Sequence, residues 1–168
     1  AIWAMDEMNN DHLVASAING TFLIGKEDLK IKKTYLEKDR QVCGIATIKL
    51  TDLFAVVDYI PNSDPFYKPS SLYIFDYKEK EPKLYLRKKF YMVQRVILHI
   101  EKTILLFIGG HSGNLTSVDY TTGARTYNIA KPATTKEFRI FSIYAMERGR
   151  FYNTIMTGTA YGELEEFD

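Results

Sequence analysis

Three histidines and one cysteine are the side chains here that most readily bind metals or act as bases and nucleophiles. His12, His99 and His111 show no metal-ligand spacing with one another or with Cys43. Cys43 lies in an apolar stretch, where we expect it to pack rather than react. A single cysteine excludes an internal disulfide and favours a reducing, intracellular compartment, the nucleus or the cytoplasm. The sequence therefore predicts no metal and no cofactor.

Carboxylates at the end of the chain could pair for acid–base chemistry. They are Glu163, Glu165, Glu166 and Asp168. Two carboxylates of this kind hydrolyse glycosidic bonds, but no second pair stands at a matching place. We interpret the cluster as a solvated strand face. A glycine-rich phosphate loop followed by Lys and Ser or Thr is also missing, so no catalytic constellation is found and the chain is predicted not to be an enzyme.

Two basic-aromatic stretches, residues 30–35 and 85–91, could bind anions. Their cations are Lys30, Lys32, Lys33, Arg87, Lys88 and Lys89. Lys on an exposed edge strand discourages unwanted strand pairing, and this is the preferred interpretation. The alternative is a basic patch for nucleic-acid phosphates or an acidic partner. The net charge of +1 gives no global attraction to nucleic acid or membrane.

The elements that carry these residues repeat four times along the chain. Each copy has a small residue, an apolar residue two positions later and, in three copies, Asp six positions later. The sixth-position residues are Lys26, Asp76, Asp119 and Asp168, with successive spacings of 50, 43 and 49. A period of this size, built of short strands, is typical of β-propeller blades.

A second match supports the repeat. Residues 2–6 resemble residues 143–147 at an offset of 141, close to the offset of 142 between Gly20 and Gly162. We therefore expect four side chains to occupy equivalent buried places in the four copies. They are Phe22, Leu72, Leu115 and Leu164.

The chain as a whole is predicted to be all-β. Its hydrophobic content is 46%, and strand-like runs alternate with turn signals. We expect four blades at about 1–40, 41–90, 91–138 and 139–168, with fifteen strands because the last blade lacks its outer one. The strands are predicted at 1–6, 12–18, 21–25, 30–36, 42–49, 53–60, 71–76, 83–90, 93–100, 103–109, 114–119, 124–129, 139–146, 152–158 and 163–167. About four blades of four antiparallel strands each are visible, which suggests that the chain is part of a larger propeller.

Residues 113–119 and 162–168 resemble the third strand of WD-repeat blades, whose signature ends in Trp-Asp. Phe75, Val118 and Phe167 stand in the Trp position, and the Gly-His pair that opens a WD repeat is missing. The resemblance is to a degenerate WD-repeat β-propeller. It implies a rigid scaffold that binds other proteins.

One segment of the chain resembles a different propeller family. Residues 117–127 are similar to the docking motif of PQQ-type quinoprotein propellers, which implies a propeller enzyme. Such families repeat the motif in nearly every blade, whereas here one of four copies shows it. This is the third alternative, after the scaffold and the nucleic-acid subunit.

The preferred prediction is a non-catalytic scaffold subunit of a larger intracellular multi-subunit assembly, with other protein subunits as partners. Residues 61–69 interrupt the second blade, and Phe66, Tyr67 and Lys68 are predicted to contact a partner. The alternative is that the two aromatic rings cover their own blade. No apolar run approaches the roughly 18 residues of a membrane span, so no membrane contact is expected.

Overall fold

The computed structural model describes residues 2–8, 11–18, 20–36, 41–59, 70–79, 81, 83–90, 94–110, 115–129, 140–145, 154–159 and 164–167. Sheet 1 contains β1 (Ile2–Glu7), β2 (His12–Ala17), β3 (Gly20–Gly25) and β4 (Ile31–Leu36). Sheet 2 contains β5 (Gln41–Thr47), β6 (Leu53–Tyr59), β7 (Ser70–Asp76) and β8 (Lys83–Phe90). Sheet 3 contains β9 (Gln94–His99), β10 (Leu105–Gly110), β11 (Leu115–Asp119) and β12 (Arg125–Ile129). Sheet 4 contains β13 (Ile140–Ala145), β14 (Ile155–Thr159) and β15 (Leu164–Phe167).

Each sheet is an antiparallel meander, with its strands hydrogen-bonded in chain order. The fifteen strands of the described residues match the fifteen predicted ones, and every boundary agrees within three residues. The prediction of an all-β chain is confirmed. β-branched and aromatic residues on short runs, separated by polar turns, favour such meanders over helices.

The sheets stack face to face in chain order, and the core lies between them. Strand β6 shows the principle: Phe54 and Val56 point toward sheet 1, whereas Ala55 and Val57 point toward sheet 3. All four side chains are fully buried. Because side chains alternate along a strand, a sheet packed on two faces has apolar residues at nearly every position.

Three clusters of buried side chains fill the three junctions. The cluster between sheets 1 and 2 includes Val14, Leu23, Tyr35, Phe54, Val56 and Phe75. The cluster between sheets 2 and 3 includes Ala55, Val57, Leu72, Ile74, Leu106, Ile108 and Val118. The cluster between sheets 3 and 4 is smaller and is formed by Leu115, Ile140 and Ile155, with Phe107 and Ile143 against it.

The alignment of sheet 1 with the other sheets differs from the prediction by one residue. Gly25 donates its N–H to the Lys30 carbonyl and accepts from the Leu29 N–H, at 3.0 Å each. Asp119 makes the same two bonds five and four residues ahead, at 2.9 and 2.8 Å. Gly25, rather than Lys26, is therefore the counterpart of Asp119.

In this corrected alignment, Phe22 lies on the face of sheet 1 opposite to the one predicted. Thr21, which is fully buried against sheet 2, is the counterpart of Leu72 and Leu115. Phe22 lies on the opposite face and is half-buried. Since side chains alternate with a period of two, an error of one residue in register reverses the face of every side chain.

The predicted match of residues 2–6 to residues 143–147 is also wrong. Ile2 pairs with Ala17 before a bulge and Ile140 pairs with Thr159 before the same bulge, so residues 2–6 correspond to residues 140–144. The similar residue types at 143–147 thus lie three residues away from the true counterparts of residues 2–6. Residues 146 and 147 are outside the described residues.

Leu164 differs from its counterparts in burial. Leu72 and Leu115 are buried, whereas 76% of the Leu164 surface is exposed. The reason is that sheet 3 covers Leu72 and sheet 4 covers Leu115, but no described sheet covers Leu164. Among the described residues, no further sheet packs on the outer face of sheet 1 or of sheet 4, and the propeller interpretation stays a prediction.

Candidate functional site

The first strands of the four sheets share an irregularity near their start. The pairing register with the second strand skips one residue of each first strand: Trp3 in β1, Cys43 in β5, Arg95 in β9 and Phe141 in β13. A β-bulge of this kind redirects a side chain away from the regular pleat. The bulged residues of the first three sheets, Trp3, Cys43 and Arg95, line one pocket together.

These bulges border a pocket of about 400 Å³, which we call the first-strand pocket. It is lined by Trp3, Ala4, Cys43, Gly44, Ile45, Arg95, Val96, Ile97 and Ile143. All four first strands contribute to it. The pocket is thus the place where the four sheets come together.

Gly44 allows two first strands to approach closely beside the pocket. A Cβ atom at this position would lie 2.5 Å from the Arg95 carbonyl oxygen and 3.0 Å from a Val57 methyl group. The backbone oxygen cannot move without disturbing β9. A glycine is therefore required for the observed spacing between sheets 2 and 3.

The pocket does not activate its cysteine. Burial, together with the nearby charge of Asp58, raises the pKa of the Cys43 thiol to about 11, although Arg95 acts in the opposite direction. The thiol is therefore protonated at neutral pH and is a poor nucleophile. No carboxylate or imidazole lines the described pocket, so its residues offer no acid–base pair.

The two larger polar or aromatic side chains of the pocket suit recognition instead. Trp3 lines the pocket and is 49% exposed. Arg95 is half-buried and adds a positive charge. Trp and Arg dominate binding energy at protein interfaces because they combine a large contact area with directional polar groups.

Two polar side chains, the half-buried Asp6 and the buried His99, fix the other ends of the first strands. The Asp6 carboxylate accepts hydrogen bonds from the Thr47 backbone N–H and hydroxyl, both at 2.8 Å, and so joins sheet 1 to sheet 2. His99 Nδ1 accepts from the Lys49 N–H at 3.0 Å and joins sheet 3 to sheet 2. These bonds hold the strands that border the pocket.

The hydrogen bonds of His99 define its chemical form. Because Nδ1 accepts a hydrogen bond, Nε2 carries the proton and donates to the Thr103 carbonyl, 3.0 Å away. Burial lowers the pKa of His99 below its usual value of 6.5. In the described part of the chain, His99 thus has a structural role. Among the described residues, no group of three or more His, Cys, Asp or Glu could hold a metal ion.

The predicted basic patch is divided between structural and exposed cations. Lys33 Nζ donates to the Tyr77 carbonyl at 2.7 Å and also to the Glu79 carbonyl, which joins sheet 1 to a turn of sheet 2. Lys88 donates to the Gly123 carbonyl and joins sheet 2 to sheet 3 in the same manner. These two ammonium groups are half-buried between sheets.

The other four cations of the patch are exposed. Lys32 pairs with Asp28 at 2.7 Å, which lowers the pKa of that carboxyl group. The Arg87 guanidinium lies 5.3 Å from the centre of the Tyr73 ring. Lys30 and Lys89 are exposed on the surface. The structure thus leaves a smaller set of exposed cations than the sequence suggested.

Other candidates lie partly or wholly outside the described residues. This holds for Phe66, Tyr67 and Lys68, for His111, and for the side chains of the C-terminal carboxylate cluster. The predicted contact of the 61–69 segment with a partner stays a prediction.

The segment that resembles a quinoprotein motif forms a tight turn. Asp119 Oδ1 accepts hydrogen bonds from the Thr121 N–H at 2.7 Å, the Thr121 hydroxyl at 2.6 Å and the Thr122 N–H at 3.3 Å. These bonds lower the pKa of Asp119. Gly123 completes the turn with a φ of 74°. The same residues thus have a local structural role.

Sequence reasoning did not identify the first-strand pocket. Trp3, Cys43 and Arg95 share no residue type, and they are equivalent only because each is the extra residue of a bulge. A search for matching bulge positions in the four repeats could have found them, but only after the register errors described above were corrected.

A helix long and apolar enough to cross a membrane is absent from the part of the chain that the structure describes. No protein-family model matches the chain, and no curated protein matches it. Many solved structures do match it, among them those of two computationally designed proteins. Ika8 has a TM-score of 0.70 at 12% sequence identity, with 99% of this chain aligned to 45% of the Ika8 chain. Ika4 has a TM-score of 0.69 at 10% identity, with 99% of this chain aligned to 90% of Ika4.

This chain therefore spans less than half the length of Ika8 and most of the length of Ika4. At identities this low, the likeness shows the fold alone: stacked antiparallel β-sheets. It gives no support to the resemblance to WD repeats.

Proposed function

We propose that the four sheets are blades of a β-propeller and that this protein is a non-catalytic scaffold for other protein subunits inside the cell. The proposal is supported by four meanders stacked in chain order, with their first strands gathered around one pocket. The single cysteine supports an intracellular compartment. The sequence resemblance to degenerate WD repeats points in the same direction.

The observation that carries the functional part is the composition of the first-strand pocket. Trp3 and Arg95 supply an aromatic surface and a positive charge, and the remaining walls are mostly small or apolar. Because the pocket is concave, it can hold a few protruding side chains of a partner protein. A peptide segment that offers an apolar or aromatic group to Trp3 would complement it.

The rigidity of the stack supports the same function. The first strands are held by the Asp6–Thr47 and His99–Lys49 hydrogen bonds, so the pocket needs little ordering when a partner binds. Binding to a preorganised surface costs less conformational entropy. The protonated Cys43 thiol and the absence of an acid–base pair among the lining residues favour binding over catalysis.

The test is partner capture by the full chain carrying Trp3→Ala. We expect at least a roughly tenfold loss of affinity for co-purifying proteins, because aromatic anchors at interfaces commonly contribute that much. Tyr85→Ala is the matched control, since Tyr85 is 50% exposed but lies on outer strand β8, away from the pocket. Equal capture by the two variants would reject the pocket as the binding site.

The nucleic-acid alternative depends on the exposed cations Lys30, Lys32, Arg87 and Lys89. Binding to phosphates would weaken steeply with added salt, because each neutralised phosphate releases counterions. Docking in the first-strand pocket would depend far less on salt. The salt dependence of capture therefore separates the two functions. The quinoprotein alternative requires a bound cofactor, whose absorbance would be visible in the purified protein.

A further inference from the structure

The two ends of the stack expose apolar surface that the inner sheets bury. At each junction, one face of a sheet packs on its successor, and we call this the trailing face. The opposite face, which packs on the preceding sheet, is the leading face. Within the part of the chain that the structure describes, sheets 2 and 3 have both faces covered by a neighbouring sheet, whereas no sheet covers the leading face of sheet 1 or the trailing face of sheet 4.

The leading face of sheet 1 carries large apolar side chains on neighbouring strands. Met5 and Phe22 lie on it through their pairing with Ala15, and Ile24 pairs with Ile31 beside them. Met5 is 58% exposed, and Ile31 is similarly exposed. A solvent-exposed surface that carries large apolar side chains on adjacent strands marks a site of protein contact.

The trailing face of sheet 4 is its counterpart. Tyr144 pairs with Met156, and Leu164 pairs with Gly158, so all four residues lie on the face turned away from sheet 3. Tyr144 is 62% exposed and Leu164 is 76% exposed. Leu164 corresponds to Leu72, which is fully buried on the trailing face of sheet 2.

These two uncovered faces are of complementary types. In all three observed junctions, a trailing face packs on a leading face. Sheet 4 has an uncovered trailing face and sheet 1 an uncovered leading face, and both faces are exposed in the described part of the chain. A contact between unlike faces of identical chains is heterologous, and it forms a ring when its rotation closes.

We propose that a second copy of this chain covers the two end faces. The copies dock head to tail, so that sheet 4 of each copy packs on sheet 1 of the other. The result is a ring of eight sheets held by two identical junctions. The inference rests on the proposed propeller arrangement. It continues the packing already present at the three internal junctions, and the Ika8 chain, 45% of which this fold covers, is long enough for about two such stacks.

The test is the mass of the isolated chain by sedimentation equilibrium over a series of concentrations. We expect a species of twice the 19.4 kDa chain mass. Met5→Lys and Leu164→Asp should each reduce the mass to that of one chain. Leu50→Asp is the matched control, because Leu50 is 79% exposed but lies between β5 and β6, on neither end face. It should leave the dimer intact.

Mixing the two disruptive variants tests the head-to-tail geometry. In a mixed ring, one junction is unaltered and the other places the Lys of one copy near the Asp of its partner. The mixture should therefore recover twice the chain mass, although neither variant does so alone. A symmetric contact between two copies of sheet 4 would be broken by Leu164→Asp and unaffected by Met5→Lys, which would overturn the proposal.

A single-chain mass at every concentration would also overturn the proposal, and sheets from elsewhere would then have to cover the end faces. Circular dichroism of each variant separates loss of association from loss of folding. If Leu164→Asp fails to fold, it is replaced by Tyr144→Asp on the same face, and if Met5→Lys fails to fold, it is replaced by Ile31→Lys on the leading face of sheet 1. The measurement contains no partner protein, so failure of the pocket to bind one leaves its outcome unchanged.

Discussion

Sheets 2 and 4 have the same meander but differ in what covers them. Leu72 and Leu164 occupy the same position in their third strands, yet Leu72 is fully buried and Leu164 is mostly exposed. Sheet 2 is packed between two neighbours, whereas sheet 4 has one. The burial of a side chain in this fold is therefore decided by the next sheet rather than by its own.

The largest expected effect is a contrast between these two leucines. Leu72→Ala should lower the free energy of unfolding by about 2–5 kcal/mol, because it leaves a cavity between sheets 2 and 3. Leu164→Ala in the single-chain state should change it by no more than about 0.5 kcal/mol. Urea unfolding of both variants checks the contrast. Similar losses for the two leucines would mean that sheet 4 is covered like sheet 2.

The strand pattern could be predicted because it depends on local sequence. Alternating apolar residues and Gly- or Asp-containing turns locate all fifteen strands, and the repeat period groups them correctly into sheets. Burial on the end faces could not be predicted in this way. It requires knowledge of the neighbouring sheet, which no local pattern contains.

The site was missed for a related reason. The bulges at Trp3, Cys43 and Arg95 arise from pairing between strands, and residue types there differ from sheet to sheet. The similar residue types at 2–6 and 143–147 suggested a register that lies three residues from the one that the strand pairing shows.

A smaller effect is expected where the inner sheets approach most closely. Gly44→Ala should destabilise the protein by roughly 1–3 kcal/mol, because the new Cβ would meet the Arg95 carbonyl at 2.5 Å. Ala4→Gly at the equivalent position of sheet 1 should cost about 0.5–1 kcal/mol, through backbone entropy alone. Thermal unfolding of the two variants compares them. A neutral Gly44→Ala would contradict the close approach of β5 and β9.

The junction between sheets 2 and 3 should also depend on pH. Because burial lowers the pKa of His99 below 6.5, the unfolded chain takes up a proton before the folded chain does as the pH falls. The contribution of His99 to stability is complete above about pH 6.5 and declines below it, until the pH passes the folded pKa. Unfolding measured across this range should show the decline.

His99→Asn is the control for this pH dependence. Its side-chain oxygen can accept the Lys49 N–H in place of Nδ1, but it does not titrate. The stability of this variant should fall less between pH 6.5 and the folded pKa. An unchanged slope would show that other groups cause the decline.

The smallest effects concern two neighbouring lysines of β4. Lys33→Ala removes hydrogen bonds from sheet 1 to two carbonyls of sheet 2 and should cost about 1 kcal/mol. Lys32→Ala removes an exposed pair with Asp28 and should cost no more than about 0.5 kcal/mol. Urea unfolding distinguishes them. A larger loss for Lys32→Ala would reverse the assignment of structural and exposed cations.

Thiol labelling most directly tests the central claim, that the inner sheets are covered on both faces and the end sheets on one. The variants are Met5→Cys, Leu72→Cys and Leu164→Cys in a Cys43→Ser background, labelled without denaturant at concentrations where sedimentation shows a single chain. We predict rapid labelling at positions 5 and 164 and labelling at position 72 only at the rate of unfolding. Protection at position 5 or 164 under these conditions, or rapid labelling at position 72, would contradict the account.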